Sequence, residues 1–327
     1  MTRASGAAIA ALIREVAAGG GAATILCHVR PDADTIGSGL ALGLALDRLG
    51  IDVEVAHPGP DALPAALGTL PGAKLLVDET DVVGHPLVIA VDAASSGRLA
   101  GLAQVVESAE YSVVIDHHAS NPGFGDLDFV DPTADCTTVL VLRILDELGT
   151  AVDEDIATCL YAGLTTDTGS FRWACPESFR IAARLLESGI DARAWSRRLF
   201  DTHPFAWLGM VGKVLESAQL DPDACNGEGL VYAVVDHAGL AGMSWEESES
   251  VIDIVRTAAE AEVAAVFKEV NAGQWTVSLR SKSSVDLVPI ARVHGGGGHR
   301  HASGYSDTGT AREVVARLVD SLTVSRA

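Results

Sequence analysis

The chain has 327 residues, 48% of them hydrophobic and 20% charged, with a formal net charge of −21. That length suffices for two compact domains with cores of their own, and that charge excludes binding to a long polyanion by counterion release. The five cysteines, Cys27, Cys136, Cys159, Cys175 and Cys225, include no Cys-x-x-Cys pair, which argues against a disulfide framework or a thiolate zinc site. Charges, Gly or Pro interrupt every long apolar run before it reaches membrane-spanning length, and no signal segment opens the chain, so a cytoplasmic protein without membrane contact is expected.

In chain order, residues 4–18 read as an Ala-rich helix with Ile9, Leu12, Ile13 and Val16 on one face. A strand over 24–29, a helix over 36–49 closed by Gly50 and a strand over 51–56 then make a β-α-β unit. Between the first strand and the helix lie His28, Asp32 and Asp34. One imidazole and two carboxylates within seven residues repel or compete unless a cation joins them, and this nitrogen and oxygen set suits manganese, iron or magnesium. An ordinary turn with a capping Asp explains either acid singly. The stretch 57–86 is rich in Pro and Gly and carries one peripheral strand at 74–77.

Residues 87–91, Leu-Val-Ile-Ala-Val, suit a parallel strand buried on both faces and end in Asp92; residues 111–115 repeat the pattern and end in Asp116, His117 and His118. Three strand ends loaded with ligand-type side chains point to the carboxyl edge of an open α/β sheet. A loop into a helix spans 132–148. A helix over 154–164 leads to Asp167, either a sixth ligand of a two-metal site or a helix cap. Helical patterns continue over 180–186 and 194–199, and Trp195, Phe200, Phe205 and Trp207 read as packing.

A polar, turn-rich segment over 221–229 precedes a change to strand patterning, and 206–225 reads as a linker region between a catalytic domain at 1–205 and a substrate-binding domain at 226–327. The second domain is expected to hold strands over 229–235, 262–270 and 274–280 and helices over 246–261 and 311–322. It also carries four consecutive glycines, 295–298, followed by His299, Arg300 and His301. Backbone N–H groups in such a loop can approach an anion closely, as in a phosphate clasp. Arg280 and Lys282 add positive charge nearby or form an exposed basic strand end, and the spacing of Arg98 from Asp92 leaves its role open.

These motifs, His28-Val29-Arg30-Pro31-Asp32-Ala33-Asp34, Val91-Asp92, Asp116-His117-His118 and Thr166-Asp167, resemble the four ordered motifs of the DHH phosphoesterases. Gly296-Gly297-Gly298-His299 with Ala302-Ser303-Gly304 resembles the C-terminal domain associated with that family, so the resemblance spans nearly the whole chain. It implies an N-terminal α/β domain with a parallel sheet and helices on both faces, a smaller C-terminal α/β domain, and an active site in the cleft between them. It also implies two divalent cations, manganese first, with magnesium, cobalt or iron as alternatives. His28 and Asp32 would hold one, Asp34, His117 and Asp167 the other, and Asp92 both. His118 would protonate the leaving group with Asp116 orienting it; the reverse assignment of the two histidines stays open.

Ser96, Arg98, Arg280, Gly297, Gly298, His299, Arg300, His301 and Ser303 would contact the nucleotide by the same resemblance. One departure concerns substrate preference: where the family often has a Ser-Ser-Thr run followed by Glu, this chain has Asp135-Cys136-Thr137-Thr138-Val139. Among family members the chain is similar to the stand-alone NrnA-type enzymes. The resemblance then implies hydrolysis of oligoribonucleotides of a few residues, linear or cyclic dinucleotides such as pApA and cyclic di-AMP, and adenosine 3′,5′-bisphosphate; it allows a homodimer. The alternatives are a manganese-dependent inorganic pyrophosphatase, which the glycine run disfavours, and a catalytically silent nucleotide-binding regulator.

Overall fold

A computed structural model of the chain describes residues 2–59, 63–240 and 242–324. They form two compact units, Met1–Thr202 and His203–Ala327.

The first unit is built on a seven-stranded, wholly parallel sheet in the order β1-β7-β6-β5-β2-β3-β4. Its strands are β1 (Thr2–Arg3), β2 (Ala22–Leu26), β3 (Asp52–Ala56), β4 (Leu76–Val77), β5 (Leu87–Val91), β6 (Tyr111–Asp116) and β7 (Leu127–Val130). Every residue of β5 is buried, as its unbroken apolar run requires of a central strand. The helices are α1 (Gly6–Ala18), α2 (Ala33–Arg48), α3 (Ala103–Ser108), α4 (Thr137–Leu148), α5 (Glu154–Asp167), α6 (Pro176–Glu187) and α7 (Ala192–Phe200). One face of the sheet packs against α1, α2, α4 and α5, with Ile25, Ile89 and Ile115 meeting Ile13, Leu40, Leu140 and Leu160. The other face, through Leu26, Val88, Ala90 and Val114, meets Leu99 and Leu102 of a 3₁₀ segment and Val106 of α3.

α2 begins at Ala33, three residues before the expected start, because Asp32 caps it by accepting from the backbone N–H of Asp34 and Thr35 at 3.1 and 3.0 Å. The peripheral strand expected at 74–77 shrinks to β4, since Ala73–Leu75 closes a 3₁₀ turn. The short edge strand β1 and its neighbour β7 carry too little periodicity to be read from sequence. The β2/β5 neighbourhood is the topological switch point: β3 and β4 lie to one side of β2, and β5, β6 and β7 to the other. An open α/β sheet forms its crevice there.

The second unit has a six-stranded mixed sheet, order β12-β13-β11-β10-β9-β8, parallel only between β9 and β10. It opens with α8 (Phe205–Glu216) and β8 (Gln219–Asp221), followed by β9 (Leu230–Val235), β10 (Val263–Asn271), β11 (Gln274–Ser281), β12 (Gly297–His299) and β13 (Ala302–Thr308). Most of the stretch 206–225, expected as a linker, is therefore structured. α8 buries Met210, Val211 and Val214 against Val231, Ala233 and Val266 of the sheet. Phe205, at the first turn of α8, is 88% exposed and packs in no core, contrary to its reading as packing.

The single helix expected over 246–261 is two short ones, Trp245–Glu249 and Ile252–Val255. The Glu247 carbonyl accepts from the Ser250 hydroxyl at 2.8 Å and from the Trp207 indole at 3.2 Å, in competition with helix continuation. The opposite face of the sheet is covered by Leu287 and Ile290 of the helix Leu287–Val293 and by Val314 and Leu318 of the C-terminal helix Ala311–Val324. No helix among the described residues is long and apolar enough to cross a membrane.

Candidate metal centre

The strand ends of the first unit converge. β2 delivers His28, the first turn of α2 delivers Asp32 and Asp34, β5 delivers Asp92, β6 delivers Asp116, His117 and His118, and the last residue of α5 is Asp167. The donor atoms of His28, Asp32 and Asp92 lie within 4.8 Å of one another, as do those of Asp34, His117 and Asp167, and those of Asp92, Asp116 and His118. Asp92 joins the sets. Its Oδ2 lies 3.3 Å from His28 Nε2, and its Oδ1 lies 3.6 Å from His117 Nε2 and 3.7 Å from His118 Nδ1. Asp32 Oδ2 is 3.4 Å from His28 Nε2 while Oδ1 caps α2, so the oxygen that faces His28 is not the one that caps the helix. Asp34 and Asp167 approach His117 Nε2 to 3.8 and 3.4 Å.

The backbone is bent to make this possible. Asp92 has φ +58, in the left-handed region where non-Gly residues cluster at functional sites, and its N–H still donates to the Ile115 carbonyl at 2.9 Å. Arg30, in the β2–α2 turn, has φ +54. α2 and α5 approach closely at Gly37, where an added Cβ would lie 2.4 Å from the Cys159 carbonyl oxygen. At Gly163 a Cβ would lie 2.7 Å from Asp34 Oδ1. These two small residues let Asp34 and Asp167 face the same space.

Several supporting residues were given no role from the sequence. Thr137 and Thr138, at the N-terminus of α4, donate their backbone N–H groups to Asp34 Oδ2 and Oδ1 at 2.6 and 2.9 Å, so the helix end holds a fully buried carboxylate. The Thr137 hydroxyl donates to Asp92 Oδ1 at 2.9 Å. Thr35 accepts from the His28 N–H at 3.2 Å and donates to the Val91 carbonyl at 3.1 Å, tying β2 to β5. Asn121 donates to Asp116 Oδ2 at 2.6 Å and to the Ala93 carbonyl at 3.0 Å. The sequence set Thr137 and Thr138 apart only within a departure from the family pattern, and the general preference of helix N-termini for hydroxyl residues could have suggested their role.

Electrostatics divide the cluster. Burial and the neighbouring Asp92 and Asp32 carboxylates push the Asp34 carboxyl well above its ordinary range. Burial lowers the basicity of His28, but Asp32 outweighs it, with help from Asp92, and the imidazole is pushed up to about 9. Asp32 is held well below the usual carboxylate range because the His28 imidazolium outweighs burial. Burial, with His118 beside it, lowers His117 and keeps it a neutral donor. For His118, burial is outweighed by Asp116, whose Oδ1 lies 2.7 Å from Nδ1, and the ring becomes more basic. Without a cation the site therefore needs protons to sit beside its carboxylates. Imidazole nitrogens and carboxylate oxygens in two sets sharing Asp92 fit two divalent cations of the manganese, magnesium or iron type.

Arg98 belongs to the same unit and neighbourhood: Nη2 lies 3.0 Å from His28 Nδ1, and its carbonyl accepts from the Val29 N–H at 2.8 Å. His28 Nδ1 is also 2.9 Å from the Val29 carbonyl; an Nδ1–H donated there leaves a lone pair on Nε2. Ser96 opens the 3₁₀ segment Ser96–Leu102 that carries Arg98.

In the second unit, Arg280, His299 and Ser303 come together on β11, β12 and β13, Arg280 and His299 both standing opposite Ala302. Ser303 donates to the His299 carbonyl at 2.8 Å, His301 Nδ1 lies 2.9 Å from Ser281 Oγ, and the Arg300 carbonyl accepts from the Leu287 N–H at 2.9 Å. The glycine run differs from the open loop expected of it. Gly297 and Gly298 pair with Gly304 and Ser303, and a Cβ at Gly296 would lie 2.1 Å from the Gly304 carbonyl oxygen. At Gly298, with φ +138, a Cβ would meet the Ala302 carbonyl oxygen at 2.5 Å. Close strand approach, rather than free backbone, requires these glycines.

Residues 22–164 match the DHH family N-terminal domain and residues 227–323 the DHHA1 domain. The chain is 36% identical over 285 residues to the bifunctional oligoribonuclease and PAP phosphatase NrnA of Thermus thermophilus, covering 86% of this chain and 82% of that protein. It is 28% identical over 284 residues to a probable enzyme of the same name from Streptococcus mutans, covering 85% and 86%. The crystal structure of an exopolyphosphatase-related protein from Bacteroides fragilis shares the fold with a TM-score of 0.86 at 24% identity, over 99% of this chain and 98% of that one. With both domains matched in order and this identity sustained along most of the length, the chain belongs to the DHH phosphoesterases, of the NrnA type.

Proposed function

We propose that this protein hydrolyses phosphate esters of short nucleotides: oligoribonucleotides of a few residues, linear or cyclic dinucleotides such as pApA and cyclic di-AMP, and adenosine 3′,5′-bisphosphate, each yielding AMP where adenine is the base. The observation that carries the reading is the pair of ligand sets joined by Asp92, which lies 3.3 Å from His28 Nε2 and 3.6 Å from His117 Nε2 at the switch point of the sheet, in a chain 36% identical to a bifunctional oligoribonuclease and PAP phosphatase. Two manganese ions, held by His28, Asp32 and Asp92 and by Asp34, His117, Asp167 and Asp92, would supply the Lewis acidity that neutralises the phosphate and activates water.

The chain's own residues do the rest. Asp116, fixed by Asn121, accepts from His118 Nδ1–H and favours the protonated ring, so that Nε2–H is available to the leaving oxygen. Thr137 and the α4 N-terminus hold Asp92 and Asp34 in position. Ser96 and Arg98 would contact the phosphate from the first unit, and Arg280, Gly297, Gly298, His299, Arg300, His301 and Ser303 would bind the remainder of the nucleotide. A net charge of −21 is compatible with such short substrates and opposes long ones.

The test is to incubate purified protein with manganese and, separately, pApA, cyclic di-AMP, adenosine 3′,5′-bisphosphate, a short RNA and pyrophosphate, and to measure AMP or phosphate released, with Asp92→Ala as control. AMP release abolished in the variant supports the reading. Turnover of pyrophosphate alone, or nucleotide binding with manganese and no product, overturns it.

A further inference from the structure

Trp173 belongs to neither core of the first unit and is 44% exposed, although an indole is among the side chains a fold gains most by covering. Its neighbour Phe171 turns inward, packing on the core and meeting the Phe179 ring at 5.5 Å. The segment Phe171-Arg172-Trp173 thus sends one aromatic in and one out.

The outward ring is held. Nε1 donates to the Asp167 carbonyl at 2.6 Å, and the Trp173 N–H donates to the Thr168 carbonyl at 3.4 Å. The benzenoid edge lies on Gly169, where a Cβ would sit 2.0 Å from the ring. Gly169 has φ +55, so the chain places a left-handed glycine where any side chain would displace the indole. Arg172 Nε donates to the Gly169 carbonyl at 2.7 Å, and its guanidinium carbon is 5.4 Å from the indole centroid, a further brace. The residue whose carbonyl anchors the indole, Asp167, sends its carboxylate to within 3.4 Å of His117 Nε2. A braced, partly exposed indole therefore stands beside the metal centre.

We propose that Trp173 is a stacking platform for a nucleobase of the substrate whose phosphate is cleaved at that centre, and so selects nucleotides over base-free phosphate esters. The inference deepens the proposed function and rests on it. A preformed ring loses little conformational entropy when a base covers it, and every base offers a face to stack, so the platform tolerates sequence and favours purines for their larger area.

Trp173→Leu and Trp173→Phe separate the ring from the Nε1 hydrogen bond. Steady-state kinetics on pApA and on an abasic dinucleotide with the same backbone give the first readout. Trp173→Leu should raise KM for pApA roughly 10- to 100-fold and that for the abasic analogue less than about threefold, while Trp173→Phe, which keeps a ring, restores most of the lost affinity. The second readout is tryptophan emission on adding AMP, quenched in the wild type and not in Trp173→Phe.

Equal KM rises on the two dinucleotides overturn the proposal. So does an equal loss in Phe and Leu, which would assign the whole effect to the bond with Asp167, or a quench that persists in Trp173→Phe. If the wild type turned over no nucleotide but AMP still quenched Trp173, the proposed function would fall and the platform would stand. If Trp173→Leu failed to fold, the Phe variant and the quench would still decide.

Discussion

Thr137→Val is the substitution that isolates one hydrogen bond at the shared carboxylate. Valine keeps the shape of threonine and the backbone N–H that reaches Asp34, and removes only the hydroxyl that donates to Asp92 Oδ1 at 2.9 Å. Asp92 is 2% exposed, so water does not replace the lost donor. A hydrogen bond to a charged group contributes about 1.5–3 kcal/mol, and loss of a partner that orients a metal ligand costs roughly 10- to 100-fold in metal affinity or activity. Because Asp92 faces both ligand sets, activity titrated against manganese should shift by that factor for the pair of ions together. Thr138→Val is the control: its hydroxyl lies 3.0 Å from Cys136 Sγ and contacts no carboxylate, so its titration should move by less than about twofold. If Thr137→Val, shown folded by circular dichroism, titrates like the wild type, Thr137 does not position Asp92.

Three further outcomes follow from the cluster and its packing. At pH 7 the cation-free protein carries a proton on His28, raised to about 9, and Asp34 is raised as well, so divalent cations must displace protons to bind. Titration calorimetry in buffers of different ionisation enthalpy should show net proton release. Affinity should rise with pH by about tenfold per unit for each proton displaced, up to about 9 where His28 has lost its own; a release of zero at pH 7 would contradict this. In the cation-free protein, the stabilisation His28 draws from Asp32 and Asp92 is fully present below its unfolded value and is lost as pH rises through about 9. Gly37→Ala would drive a Cβ to 2.4 Å from the Cys159 carbonyl and part α2 from α5. Overpacking of this kind costs about 1–3 kcal/mol, read by denaturant unfolding, and separating Asp34 from Asp167 should lower activity as well; a variant as stable and active as its parent would show that the two helices accommodate the methyl group.

The parallel strands and the acids at their ends were legible because both signals are local. A continuous, β-branched-rich apolar run as short as Leu87–Val91 suits a strand covered on both faces, and the Asp or His that ends such a strand emerges at the sheet's carboxyl edge. His28, Asp32, Asp34, Asp92, Asp116, His117, His118 and Asp167 accordingly meet. Less legible were elements whose conformation depends on distant partners. The 206–225 stretch reads as a linker because turn residues gather at its end and beyond, yet α8 forms there because Met210, Val211 and Val214 find a sheet face to cover. The glycines of 295–298 read as an open clasp, and pairing of β12 with β13 turns part of the run into a strand edge.

What the sequence by itself determined, then, is the inventory: which ligand types exist, at which strand ends, and in what order, because hydropathic period and turn chemistry are written within a few residues. Only the tertiary structure decided how they are used. The left-handed backbone of Asp92, the division of Asp32 between a helix cap and His28, the α4 N–H groups on Asp34 and the seating of Trp173 on Gly169 each join residues through contacts that exist only after the chain has packed. Distances of about 3 Å between such groups depend on how whole helices and strands settle against one another, and no local pattern encodes that.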